Sequence, residues 1–171
     1  MGGEVSGLVQ GPPQQQALVL VVDDDVRIHK ALRRDLERLG YRVIHAMSGL
    51  EGLGVVGQAH PDVILTDLRM PGIDGHTFLR RLRGHGCGAG VAVTSGNGDV
   101  DDLIEVLRGG AVDYLKKPWS DLDLYAAMRR ALDSARSMRG RPPLARAEEA
   151  PWCRKPSRSV TQVSWVPSSC R

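Results

Sequence analysis

The residues able to do chemistry stand in four short polar groups, each closing an apolar run. Asp23, Asp24 and Asp25 follow ALVLVV at 17–22, and Asp67 follows DVILT at 62–66. Thr94 and Ser95 end VAVTS at 91–95, and Lys116 and Lys117 follow AVDYL at 111–115. Brought together, such carboxylates repel one another and resist full ionisation. A hard divalent cation with oxygen ligands relieves the repulsion, and Mg2+ takes only a few carboxylates while retaining waters. Lysine cannot ligate that cation, but its ammonium can hold an anion, and a threonine hydroxyl can donate to the same anion. A phosphoryl group suits these parts. Once Asp67 has attacked a phosphoryl donor, the transferred oxygens can meet Mg2+, the Thr94 hydroxyl and a lysine, so charge is neutralised on every side. At this level Asp25 competes with Asp23 as a cation ligand, and Lys116 with Lys117 as the counter-charge.

The elements that must position these groups follow from the apolar pattern. Continuous β-branched runs of this length mark strands covered on both faces, and YRVIHA at 41–46 is a fifth such run. The spacings between runs are wide enough for helices. Val26 to Leu39 places Ile28, Leu32, Leu36 and Leu39 at three-to-four residue steps, with Gly40 as a stop. Residues 49–58 predict a second helix, softened by Gly49, Gly52, Gly54 and Gly57, since each glycine costs up to about 1 kcal/mol relative to alanine in a helix. Two shorter helices are expected over 76–83 and 99–108, the latter with Asp99, Asp101 and Asp102 at the positive end of its dipole. Ser120 is expected to cap a last helix to about Arg136, with Leu122, Tyr125, Met128 and Leu132 on one face. Five strands alternating with five helices imply right-handed crossovers and a doubly wound parallel α/β sheet. In that class ligands sit beyond the carboxyl ends of the strands, where the polar groups fall.

The motifs carrying these groups resemble the response-regulator receiver family, related to the chemotaxis response regulator, from about Ala17 to Ala135. They are VLVVDDD at 19–25, PDVILTDLRMPGIDG at 61–75, VTSG at 93–96 and GAVDYLKKPW at 110–119. The resemblance implies a flavodoxin-like strand order 2-1-3-4-5. It further implies Asp23 and Asp24 as metal-binding acids, Asp67 as phospho-acceptor and Mg2+ ligand, and the Arg69 backbone carbonyl completing the metal shell. Thr94 becomes the switch hydroxyl, Tyr114 the switch aromatic and Lys117 the phosphate lysine. The family register leaves Asp25 as the N-cap of the first helix and Lys116 facing solvent, with a cis peptide before Pro118 aiming Lys117 inward. Gly72 and Gly75 are read as serving a tight turn after the acceptor.

A phosphatase of another aspartate-nucleophile fold would need an acid two residues after Asp67, and that position is Arg69. The expectation is therefore a switch that catalyses only its own Mg2+-dependent phosphorylation and dephosphorylation. Its partners would be a sensor histidine kinase or histidine phosphotransfer protein and a downstream protein. The five histidines, 29, 45, 60, 76 and 85, have no ligand spacing and are assigned no function.

A chain of 171 residues suits one domain plus ends. Residues 1–16 read as a disordered leader without a signal sequence, and with no run of about eighteen apolar residues the protein is expected to be cytoplasmic. The net charge of +3 is uneven: residues 136–171 carry eight Arg/Lys against two Glu, while the remainder holds 15 basic and 18 acidic residues. Residues 137–171 are read as a basic, Pro/Ser/Arg-rich, disordered tail following a receiver over 17–136. Within it Arg139 to Pro142 spells RGRP, similar to the core of an AT-hook, so a DNA-binding regulator using this tail is the alternative reading. Cys87, Cys153 and Cys170 suggest neither a disulfide framework nor a zinc site.

Overall fold

The computed structural model describes residues 17–96 and 100–139. The leader, Asp99, Cys153, Cys170 and the tail from residue 140, with most of its RGRP motif, lie outside the described residues. Five strands alternate with five helices in the order β1 (Leu18–Val22), α1 (Val26–Arg38), β2 (Arg42–Ala46), α2 (Gly49–Ala59), β3 (Val63–Asp67), α3 (Gly75–Gly84), β4 (Gly90–Ser95), α4 (Val100–Arg108), β5 (Asp113–Lys116) and α5 (Asp121–Arg139). The strands form one parallel sheet ordered β2-β1-β3-β4-β5.

Strand alternation sends side chains into two cores. Leu20, Val22, Ile64, Val91 and Val93 pack with Leu53, Val56, Phe78, Leu79, Leu82 and Val106 of α2, α3 and α4. Val19, Val21, Val63, Leu65 and Ala92 pack on the other face with Leu32 and Leu36 of α1 and Leu124, Met128, Ala131 and Leu132 of α5. Both faces of β1, β3 and β4 are thus covered, which is why their sequences are apolar without alternation.

Asp25 caps α1, its carboxylate accepting from the Arg27 amide at 2.8 Å. Ser120 and Asp123 close a reciprocal cap at the start of α5: the Asp123 amide donates to Ser120 Oγ, and the Ser120 amide and hydroxyl donate to the Asp123 carboxylate. The buried face of α5 differs from the expected one. Leu122 is 75% exposed and Tyr125 46%, while Leu124, Ala127, Met128, Ala131, Leu132 and Ala135 are buried. The cause lies on β4. A Cβ on Gly90 would collide with the Ala131 backbone, so α5 rests directly on the strand. Contact that close selects a face of alanines and turns the larger Leu122 and Tyr125 outward. The helix also continues to Arg139, so residues 137–139 belong to it and not to the tail.

Gly52 of α2 has a packing role as well. A Cβ on Gly52 would stand 3.1 Å from both Phe78 and Val22, and α2 lies close on the sheet because that atom is missing.

Candidate functional site

The carboxyl ends of β1, β3, β4 and β5 meet at one edge of the sheet. Register places Asp67 opposite Thr94, Thr94 opposite Leu115, and Ser95 opposite Lys116. The lysine just beyond β5 reaches across to the acids. Lys117 Nζ donates to Asp23 Oδ2 and to Asp67 Oδ1, each at 2.7 Å. The Lys117 amide donates to the Ser95 carbonyl at 2.8 Å, which ties this residue to the end of β4. The Lys117–Pro118 peptide is cis. Lys116 is exposed, as the register required. Burial pulls the Lys117 ammonium downward in pKa, but the hydrogen bonds and charges of Asp23 and Asp67 outweigh it and leave the value above the ordinary one.

Both acids are held at their second oxygens as well. Asp23 Oδ1 accepts from the Asp25 amide at 2.8 Å, and Asp67 Oδ2 accepts from the Arg69 amide at 2.8 Å. Asp23 and Asp67 are buried, whereas Asp24 is exposed and lines an open cleft of about 570 Å3 with Leu68, Arg69, Met70, Pro71, Asp74 and His76. The lining of the cleft includes Leu68, one residue after Asp67. The chain turns sharply there. Gly72 adopts φ +83°, and a Cβ on Gly75 would sit 2.6 Å from the Asp67 carbonyl oxygen, so α3 can begin against Asp67 only with glycine there. Asp74 caps that helix through the Thr77 amide at 2.7 Å.

Thr94 is buried, and its hydroxyl donates to the Thr66 carbonyl at 3.4 Å, a long contact. Tyr114 is half-buried on β5, opposite Val93 and one residue before the partner of Thr94. Asp23, Asp67 and Lys117 therefore form one bonded cluster, Thr94 adjoins it, Asp24 and Arg69 stand at the rim, and Tyr114 lies one strand away.

Among the described residues, no three His, Cys, Asp or Glu side chains already converge as a cage for a metal ion. The acids gather around Lys117 instead. The donor set is nevertheless the kind Mg2+ uses, since that ion binds through one or two carboxylates and fills its octahedron with waters. Asp23 and Asp67, both buried, and the solvent-facing Asp24 supply hard oxygens at this edge of the sheet.

Two histidines given no role from sequence lie beside the acids. His29, buried in α1, places Nε2 2.7 Å from the Asp23 carbonyl oxygen, and its Nδ1 is 2.9 Å from Nδ1 of His45 on β2. Burial, and then the neighbouring His29 and Arg33, hold the His45 ring down to a pKa of about 4. His29 shares the inward stripe of Leu32 and Leu36, so its burial was legible, but its carbonyl partner depends on how α1 packs. Asp35 was also missed: it is buried on the same helix, and Arg34 and the Trp119 indole hold its carboxyl below the usual range against the opposing effect of burial.

A doubly wound sheet with two acids and a lysine bonded at its carboxyl edge is the architecture of a receiver, and comparison with known proteins identifies it as such. The family described as "Response regulator receiver domain" matches residues 19–129. The chain belongs to that family. It is 38% identical over 126 residues to the response regulator MprA of Mycobacterium tuberculosis, covering 70% of this chain and 55% of that protein. It is 36% identical over 125 residues to the C4-dicarboxylate transport transcriptional regulatory protein DctD of Pseudomonas aeruginosa, covering 73% of this chain and 27% of that one. A response regulator receiver domain protein from Clostridium thermocellum superposes with a TM-score of 0.67 at 32% identity, covering 71% of this chain and 98% of that one. The chain thus spans about half the length of MprA and about a quarter of DctD.

Proposed function

We propose that this chain is a phosphorylation-controlled switch of a two-component system or phosphorelay, charged on Asp67 by a phosphohistidine of a kinase or phosphotransfer partner. The observation that carries the reading is the Lys117 ammonium bonded at 2.7 Å to both Asp23 and Asp67, a cation placed where a phosphoryl group on Asp67 would need one. An Asp67 carboxylate oxygen attacks phosphorus, the donor's P–N bond breaks, and its electron pair stays on the donor imidazole. Lys117 then exchanges an Asp67 oxygen for a phosphoryl oxygen. In a separate dephosphorylation step, water attacks phosphorus, the bond to the Asp67 oxygen breaks, and the Asp67 carboxylate and inorganic phosphate are released. Asp23, Asp24, Asp67 and the Arg69 backbone carbonyl are the groups that would hold Mg2+, which supplies charge neutralisation at the phosphoryl oxygens.

Thr94 is the first reader of the new anion. Phosphorylation adds roughly one to two negative charges beside a hydroxyl whose present bond, at 3.4 Å, is weak. Its inward swing frees space at the end of β4, and Tyr114 rotates toward it, reshaping the surface offered to a protein partner. This is a two-state equilibrium biased by local charge. Among the described residues no helix is long and apolar enough to cross a membrane.

Incubation with acetyl phosphate and Mg2+, followed by peptide mapping, tests the reading. The label is expected on Asp67 and absent in Asp67→Asn. Undiminished labelling of that variant would overturn it. A second reading, an output through DNA, is favoured by the similarity to a transcriptional regulatory protein and by the basic RGRP segment. Salt-dependent binding to AT-rich duplexes that disappears on removal of residues 140–171 would support it over the protein-partner output.

A further inference from the structure

The Asp23 peptide is anchored at every polar atom, and one anchor is unusual. Its amide donates to the Ala46 carbonyl of β2 at 3.2 Å, its carboxylate meets the Asp25 amide and Lys117, and its carbonyl faces His29 Nε2 at 2.7 Å. A carbonyl only accepts, so the His29 proton that makes this bond is on Nε2. With both rings neutral, the 2.9 Å contact between the two Nδ1 atoms then requires His45 to donate and His29 to accept. The rings stand at 90° with centroids 4.8 Å apart, so His45 abuts the edge of its neighbour and fixes its tilt. His45 in turn is set by β-sheet register opposite Val21, two residues before Asp23. A chain of contacts thus runs from β2 through His45 and His29 to the one carbonyl that lies between the two adjacent acids.

We infer that His29 is a positioning residue for the Asp23–Asp24 acid pair, with His45 as its buttress. The inference rests on the phosphoryl-acceptor reading above. Holding the Asp23 carbonyl toward α1 fixes the plane of the Asp23–Asp24 peptide. With that plane fixed, Asp23 stays turned inward to Lys117 while Asp24 projects into the cleft. Neither histidine need touch a metal or a phosphoryl group. The arrangement resembles the outer-shell bonds that orient ligands in other metal sites, whose loss weakens metal affinity by about tenfold or more.

Two variants separate this role from simple packing. His29→Leu keeps apolar volume and removes the donor. His29→Gln keeps a donor amide at the reach of Nε2 and a carbonyl that can accept from His45. Mg2+ dissociation constants, measured by amide NMR titration, are expected to rise about tenfold in His29→Leu and to remain within about twofold of wild type in His29→Gln. In the metal-free wild type, long-range nitrogen–proton NMR spectra should show His29 protonated at Nε2 and His45 at Nδ1. The labelling rate of His29→Leu should fall at low Mg2+ and recover at saturating Mg2+, because the ligands are misplaced and not lost. Unchanged Mg2+ affinity in a folded His29→Leu would overturn the inference. So would a His29→Gln protein as weak as His29→Leu, or a His29 ring without a proton on Nε2. If His29→Leu does not fold, His29→Gln is compared with His29→Asn, whose shorter side chain cannot reach the Asp23 carbonyl; equal Mg2+ affinity in those two would overturn the inference. Wild-type protein that neither binds Mg2+ nor labels Asp67 would defeat the underlying reading as well, whereas normal wild-type behaviour with an indifferent His29 defeats the inference alone.

Discussion

The two halves of the site are held very differently. On the side of β1 and β3, each oxygen of Asp23 and Asp67 has a donor at 2.7 or 2.8 Å, from Lys117, the Asp25 amide or the Arg69 amide. On the side of β4 and β5, the bond that the Thr94 hydroxyl makes among the described residues is a long one at 3.4 Å. The contrast matches two physical demands. Groups that position a reacting phosphorus gain by being fixed beforehand, since misplacement by an ångström is costly in rate. Groups that report the outcome must have a second place to go, and a weakly bonded hydroxyl leaves its first place at little cost.

Breaking the fixed half should give the largest effects. Asp23→Ala and Asp24→Ala are each expected to weaken Mg2+ binding by about tenfold or more, because a hard cation loses a charged ligand. Calorimetric or NMR titration measures this, and unchanged affinity in both variants would remove these residues from the metal site.

Lys117→Ala should follow. It leaves Asp23 and Asp67 facing one another without a counter-charge, and a loss of about 1 to 2 kcal/mol in denaturant unfolding is expected for a pair whose lysine is partly open to solvent. The fold should persist, and Asp67 should still take label, but the response of the β4–β5 side should disappear. Lys116→Ala, on an exposed side chain, should be nearly silent. An exchange of these two phenotypes would shift the assignment by one residue.

The smallest effect concerns the buttress behind the fixed half. His45 is harder to protonate in the folded protein, with a pKa of about 4 against an ordinary 6.5. Its contribution to stability is therefore complete above pH 6.5 and is lost as pH falls from 6.5 toward 4. His45→Asn, which retains a donor near the Nδ1 position, should lose less stability than wild type over that window, by about 1 kcal/mol at pH 5 after allowance for partial exposure. Parallel stability curves for the two proteins would show that the ring is not held neutral.

How far these features were legible from sequence depends on whether one strand or several elements decide them. Asp67 and a lysine at 116 or 117 could be placed at the site because an apolar run with a polar end marks a parallel strand on its own, and the parallel sheet then brings distant ends together. The Asp25 cap, the outward Lys116 and the choice of Lys117 came only with the register of the family that the motifs resemble. The face of α5 could not be read, because Leu122 and Tyr125 have the right spacing and only the approach at Gly90 excludes them. The His29–His45 pair was equally closed to sequence, since its meaning lies in β2 standing beside β1 under the start of α1.

The contrast between a fixed and a movable half is tested most directly by amide NMR of the protein with Mg2+ before and after addition of beryllofluoride, an analogue of the aspartyl phosphate. The largest shifts are expected at Asp67 and Thr94 and through residues 100–119, with Asp23 and Asp25 moving little beyond the change caused by Mg2+, and with the spread to 100–119 lost in Thr94→Val. Shifts confined to the loops after β1 and β3 in the wild-type protein would contradict the account, leaving a site that takes phosphate without passing the signal on.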